Sequence, residues 1–136
     1  MSRKTAREEA FKLLYQINIQ KGNENEIIET YFNEHDVDAK DQVFIQDVVS
    51  GTLQNLKEID EHIEKNTVKW KVNRISKVNI AILRIAIFEM LKRPDIPMSV
   101  SINEAVELSK KYDSEKSGAF VNGILASIKK QLQPEG

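Results

Sequence analysis

The sequence VNIAILRIAIFEML, residues 78–91, decides the fold. Apolar residues occur on every side of its helical wheel, and so the segment is predicted to form a central helix that is buried all round. Ser76 is placed to begin this helix as its N-cap, and Pro94 is placed to close it, because proline cannot continue a helix. A helix of this kind needs other helices around it.

Apolar residues recur at helical spacing through the rest of the chain as well. A capping box of Thr5 and Glu8 is predicted to begin the first helix, although a start a few residues earlier is left open. Asn23 or Asn25 is the predicted cap of the second helix, and Asp38 that of the third. A second capping box, Ser101 and Glu104, is predicted to begin the helix after the central one. No stretch alternates convincingly as a strand. The chain of 136 residues is therefore expected to form a single domain, residues 1–136, folded as an all-α compact bundle of about seven helices.

Composition excludes several classes of protein and leaves a local charge pattern. Cysteine is absent and no apolar run approaches the length of a bilayer, which is the pattern of a cytoplasmic protein with no membrane segment. The net charge is only −1, but eight acidic residues lie within 24–47, and six basic residues with no acidic one lie within 65–88. A further basic group, Arg3, Lys4 and Arg7, lies at the start of the chain. A local nucleic-acid site is therefore compatible with a net charge close to zero.

No arrangement of residues indicates catalysis, a metal or another cofactor. His35 and His62 have no partner at ligand spacing, and they are interpreted as solvated surface residues. The segment DVDAKD at 36–41 lacks the glycine that a calcium loop requires at its sharp turn. There is also no glycine-rich phosphate loop and no nucleophile elbow, so the protein is predicted not to be an enzyme.

The first helix has a second face that is not part of its apolar stripe. The side chains on this face are Lys4, Arg7, Phe11, Tyr15 and Asn18. Cations followed by aromatic rings are what single-stranded RNA or a protein partner would use. Packing of the two rings against another helix of the bundle explains them equally well, and the wheel alone does not choose.

The stretch SGAFVNG, residues 117–123, places two glycines in a helix whose apolar stripe includes Val121. Gly123 points away from that stripe, beside Ala119, Phe120 and Ala126, with Lys116 and Lys130 near the same side. Glycine in a helix costs about 1 kcal/mol relative to alanine, so a small-residue strip indicates close approach of a second helix or of an external ligand.

Several long motifs together resemble the NusB family of bacterial transcription antitermination factors. They are AREEAFKLLY at 6–15, FIQDVVSGTLQNLKEID at 44–60, VNIAILRIAIFEM at 78–90 and DIPMSVSINEAVELSKKYDSEKSGAFVNGIL at 95–125. The order and spacing of INEAVELSKKY and KSGAFVNG is the most specific part. The chain departs from many relatives at Asn79 and Ile80, where they carry an acidic–basic pair.

The resemblance implies a NusB-like, non-catalytic RNA-binding domain. Such proteins bind boxA-containing single-stranded RNA of nascent transcripts, notably ribosomal RNA, together with the ribosomal protein NusE, and then join RNA polymerase with other Nus factors. A homodimer of the free protein is also possible on this basis. By position, the implied RNA-binding residues are Arg3, Lys4, Arg7, Lys116, Phe120 and Asn122, and the implied partner-binding residues are Tyr15 and Asn79. Arg84 matches a family arginine, but within an apolar helix it is interpreted as a buried hydrogen-bonding residue.

Two alternative functions are compatible with the sequence. A related fold occurs at the N-terminus of some ribosomal RNA cytosine methyltransferases, and a stand-alone relative of that domain would also be all-helical. A protein-binding adaptor that never contacts RNA is the other alternative, and the basic residues beside aromatic rings on the first helix argue against it.

Overall fold

The computed structural model describes residues 1–67 and 72–134. Within these residues the chain forms seven α-helices: α1 (Arg3–Gln20), α2 (Glu24–Glu34), α3 (Ala39–Gln54), α4 (Leu56–Lys65), α5 (Lys77–Lys92), α6 (Met98–Tyr112) and α7 (Glu115–Leu132), with a short 3-10 helix at Val72–Arg74. No strand occurs in this part of the chain. The predicted all-α fold is confirmed.

Helix α5 is the centre of the bundle, as predicted. It packs against α1, α3, α4, α6 and α7, and its buried residues occur on all of its sides. The Ser76 hydroxyl accepts a hydrogen bond from the backbone N–H of Asn79, which confirms it as the N-cap, and the helix ends at Lys92, two residues before Pro94. Burial of its Ile, Leu and Phe side chains, at about 25 cal/mol per Å² of apolar surface, supplies much of the driving force for folding.

Both predicted capping boxes are wrong, but the earlier start of α1 that was left open is confirmed. Helix α1 begins earlier than Thr5, and its N-cap is Ser2, whose hydroxyl accepts from the Thr5 N–H at 3.0 Å. Helix α6 begins at Met98 after Pro97, which leaves Ser101 in the first turns of the helix rather than at its end. Asn23 caps α2 through its side chain, as one of the two predicted alternatives, and Asp38 occupies the cap position of α3 without a side-chain hydrogen bond.

A glycine allows α3 to approach α5 closely. Gly51 faces the Phe88 ring, and a Cβ built at this position would lie well inside van der Waals contact with two ring carbons. The Phe88 ring is buried, so it has little room to move aside. The crossing of these two helices therefore depends on the missing side chain.

Helix length and apolarity together give no candidate membrane span among the described helices.

Candidate nucleic-acid interface

The start of α1 presents two exposed cations at the surface. Arg3 is exposed, and its guanidinium lies 3.9 Å from the centre of the Phe44 ring of α3, which holds it by a cation–π contact. Lys4 is exposed as well. The N-terminal amine forms an ion pair of 3.0 Å with Asp41, also on α3. The cations of residues 3 and 4 therefore extend from an anchored helix end.

Arg7 does not belong to this exposed group, and the expectation that placed it there is wrong. Its side chain is only 4% exposed, and its Nε donates a hydrogen bond of 2.8 Å to the Glu89 Oε2 of α5. Glu89 is fully buried, and its other oxygen accepts from the Ser101 hydroxyl at 2.7 Å. Two charges removed from water need such partners, so Arg7 is a structural residue that joins α1 to α5 and α6.

The aromatic side chains of α1 divide between core and surface. Phe11 is 3% exposed and packs on the Tyr112 ring of α6, with ring centres 5.1 Å apart. Tyr15 is half-buried, and its ring centre lies 6.4 Å from that of Phe11. Packing within the bundle is thus the explanation for Phe11, whereas Tyr15 remains accessible to a partner.

Tyr112 is an accessible ring that sequence reasoning missed. Its side chain is 37% exposed, and its hydroxyl donates to the Glu8 carboxylate of α1, which also accepts from the Lys111 Nζ at 2.7 Å. The hydrogen bond from Lys111, and then that from Tyr112, hold the pKa of Glu8 below its ordinary value. The available signal was the KKY sequence at 110–112, next to the motif of α7.

Asn79 is also inside the protein, contrary to its assignment as a partner contact. The side chain is 5% exposed, donates to Asp113 at 2.9 Å and accepts from the Ser109 hydroxyl at 2.8 Å. Its amide therefore connects the start of α5 to the end of α6.

The predicted residues of α7 do reach the surface. Lys116 and Asn122 are exposed, and Phe120 is half-buried at the edge of the core. Val121 is fully buried, as its place in the apolar stripe predicted. A Cβ built at Gly123 would meet nothing within 4 Å, so this glycine faces open space rather than another helix.

Arg84 makes the internal contacts expected of a hydrogen-bonding residue in the central helix. Its Nε and terminal nitrogen each lie 2.9 Å from an oxygen of Asp60 on α4, in a bidentate arrangement. Lys69 and Lys71, part of the basic segment 65–88, lie outside the described residues. Among the residues that are described, no three or more acidic or histidine side chains are grouped so as to hold a metal ion.

The fold and the surface groups together define a class of protein. It is an all-helical domain with exposed cations and half-buried aromatic rings, the groups that bind nucleic acid or another protein. The sequence model of the NusB family matches residues 4–130. The chain belongs to the NusB family of transcription antitermination factors, which are regulatory proteins and not enzymes.

Individual relatives match over nearly the full chain. The transcription antitermination protein NusB of Acetivibrio thermocellus is 51% identical over 130 residues, which cover 96% of this chain and 90% of the relative. The solved structure of T. maritima NusB has a TM-score of 0.88 at 36% identity, covering 96% of this chain and 92% of that one. A crystal structure of antitermination factors NusB and NusE in complex with dsRNA has a TM-score of 0.83 at 32% identity, covering 95% and 96%.

Proposed function

We propose that this protein binds boxA-containing single-stranded RNA of nascent ribosomal RNA transcripts together with the ribosomal protein NusE. In this function it joins RNA polymerase with the other Nus factors, and residues 1–136 act as one RNA-binding domain. The observation that carries the proposal is the surface of α7, where the exposed Lys116 and the half-buried Phe120 ring lie one helical turn apart. A cation beside an accessible ring binds a phosphate and an adjacent unstacked base at the same time.

The residues have separate roles in this proposal. Arg3, Lys4 and Lys116 contact phosphates, the Phe120 ring stacks on a base, and the Asn122 amide bonds to a base edge. Tyr15 contacts NusE. The solved complex of a NusB relative with NusE and dsRNA supports NusE and RNA as the two kinds of partner, and the RNA of that complex is double-stranded. Arg7 and Asn79 act indirectly, because their internal hydrogen bonds position α1 and α5 beneath this surface.

The test is a comparison of RNA affinities with and without NusE. A short single-stranded RNA that carries boxA is expected to bind more tightly than an RNA of the same length and base composition in scrambled order. NusE is expected to increase the affinity for the boxA RNA further. A duplex of the same sequence should bind less well, because its bases are not free to stack on Phe120. Equal affinity for the boxA and scrambled RNAs, both alone and with NusE, would contradict the proposal.

A further inference from the structure

Helices α6 and α7 form an open groove along the second half of α7. Its volume is about 650 Å³. The groove is lined by Ser99, Ile102 and Asn103 of α6 and by Asn122, Ala126, Lys129, Lys130, Gln133 and Pro134 at and beyond the second half of α7. On each helix these residues follow one another at helical spacing, so the groove is the seam between two adjacent helix faces.

The polar side chains of this groove have no partners within the described part of the chain. Asn103, Asn122, Gln133 and the two lysines make no side-chain hydrogen bond or ion pair there, whereas Asn66, Asn79 and Gln131 are each bonded internally. Among residues 1–67 and 72–134, no carboxylate lines the groove. Asn103, Asn122 and Gln133 are exposed, so a ligand can replace the water that they bind. Lysines in the last turn of α7 also offset the partial negative charge of that helix end.

The groove thus combines three kinds of group in one place. Ile102 and Ala126 supply an apolar surface, the amides supply both donors and acceptors, and Lys129 and Lys130 supply positive charge. Asparagine and glutamine side chains bond to the edges of bases, apolar side chains cover base faces, and lysine binds phosphate. A groove with these apolar, amide and cationic groups is complementary to a nucleotide.

We propose that the groove between α6 and α7 binds one nucleotide of the RNA, its base held by Asn103 and Gln133 over Ile102 and its phosphate held by Lys129 and Lys130. The inference rests on the proposed RNA-binding function and extends it to a subsite that the family resemblance did not indicate. Asn122, one of the residues that the family resemblance implies for RNA binding, also lines the groove.

The experiment measures the affinity of the full chain for the boxA-containing single-stranded RNA at several salt concentrations. Lys129→Ala/Lys130→Ala should flatten the dependence of log affinity on log salt by about 0.7, because the two lysines hold one phosphate and about 0.7 counterion is released per phosphate contact on a single strand. Asn103→Ala should weaken binding at least about fivefold without changing that slope, since it removes a base contact and no charge. The matched control is Lys57→Ala/Lys77→Ala, which removes two exposed lysines on α4 and α5.

The outcomes separate this inference from the proposed function. If the wild-type protein prefers boxA RNA but the groove variants keep its salt slope and affinity, as the control pair does, the groove is not part of the interface and the proposed function stands. If the wild-type protein does not prefer boxA RNA at all, the proposed function and the subsite fall together. Thermal unfolding of each variant shows that the changes in binding are not changes in folding.

Discussion

The Arg7 Nε lies 2.8 Å from the Glu89 Oε2, across 82 residues of sequence, and both side chains are buried. The pair connects the basic start of α1 to the middle of the central helix. Because Ser101 of α6 donates to the same carboxylate, three helices meet at one buried charge. Residues 3 and 4 lie about one helical turn before Arg7, so this contact fixes the helix end that carries their exposed cations relative to the rest of the bundle.

Arg7→Met is expected to destabilise the fold by about 3–5 kcal/mol, because it leaves the Glu89 carboxylate buried without its cation. Chemical denaturation measures the free energy of unfolding. Lys4→Met, one turn earlier and exposed, should change it by no more than about 0.5 kcal/mol. If Arg7→Met is as stable as Lys4→Met, the buried ion pair is not a structural requirement.

The contrast between Arg7 and α5 shows what the sequence does and does not predict. The central helix can be predicted from the local sequence alone. The segment 78–91 places apolar side chains on every side of its helical wheel, and Ser76 and Pro94 lie near its two ends. Arg7 lies opposite the apolar stripe of α1, as the wheel predicts, but that side is covered too. Its partner is 82 residues away, and only the packing of α1 on α5 reveals it.

Ser101 illustrates the same limit at a helix end. The spacing of Ser101 and Glu104 is that of a capping box, yet the helix starts at Met98 directly after Pro97. Proline lacks an N–H and has a fixed φ, so it suits the start of a helix, and this local preference competes with the capping box. The Ser101 hydroxyl instead donates a hydrogen bond to Glu89 on another helix, and no local sequence pattern predicts this tertiary contact. For the candidate interface, the sequence predicts the surface of Lys116 and Asn122 but not the burial of Asn79.

Arg3→Ala/Lys4→Ala should weaken RNA binding and flatten its dependence on salt. Removing two cations that bind phosphates of a single strand should change the slope of log affinity against log salt by about 1.4. The measurement is a titration of boxA-containing RNA at several salt concentrations. The Lys57→Ala/Lys77→Ala variant carries the same loss of charge at other exposed positions and should keep the wild-type slope. An unchanged slope in the N-terminal variant would remove residues 3 and 4 from the interface.

Phe120→Ala and Val121→Ala should separate binding from folding. The Phe120 ring is half-buried, so its loss should reduce RNA affinity by about 1–3 kcal/mol, the value of one stacked base, with a smaller loss of stability than a buried ring would cause. Val121 is fully buried, and its truncation should cost about 2 kcal/mol of folding free energy while the folded fraction binds normally. A loss of about 3–5 kcal/mol of stability with normal binding in Phe120→Ala would identify that ring as core.

Two glycine substitutions should change stability in opposite directions. Gly51→Ala forces a Cβ into the buried Phe88 ring and should destabilise the fold by about 1–3 kcal/mol. Gly123→Ala adds a Cβ in open space within a helix and should stabilise the fold by up to about 1 kcal/mol. If RNA approaches the backbone at Gly123, the same variant binds boxA RNA more weakly although it is more stable. Unimpaired binding would show that this glycine serves no close approach.

The hydrogen bonds to Glu8 predict a particular response to acid. They lower its pKa in the folded state below the ordinary value of 4.5, so the folded state favours the carboxylate. This contribution to stability is complete above about pH 5 and is lost as the pH falls through the lowered pKa. Glu8→Gln should therefore lose less folding free energy than the wild type between about pH 6 and pH 3, as measured by denaturation at each pH. Glu61→Gln, at an exposed position on α4, should follow the wild-type profile.

The central position of α5 also has a consequence for the order in which the protein is made. A ribosome synthesises α1 to α4 first, and for that period the apolar faces of these helices lack the helix against which they pack. Arg7 meets its carboxylate only after residue 89 has been added, and Ser101 completes the contact later still. The basic end of α1 therefore takes up its final position late in translation, so a nascent chain of this protein acquires the final arrangement of its exposed N-terminal cations only when most of its length exists.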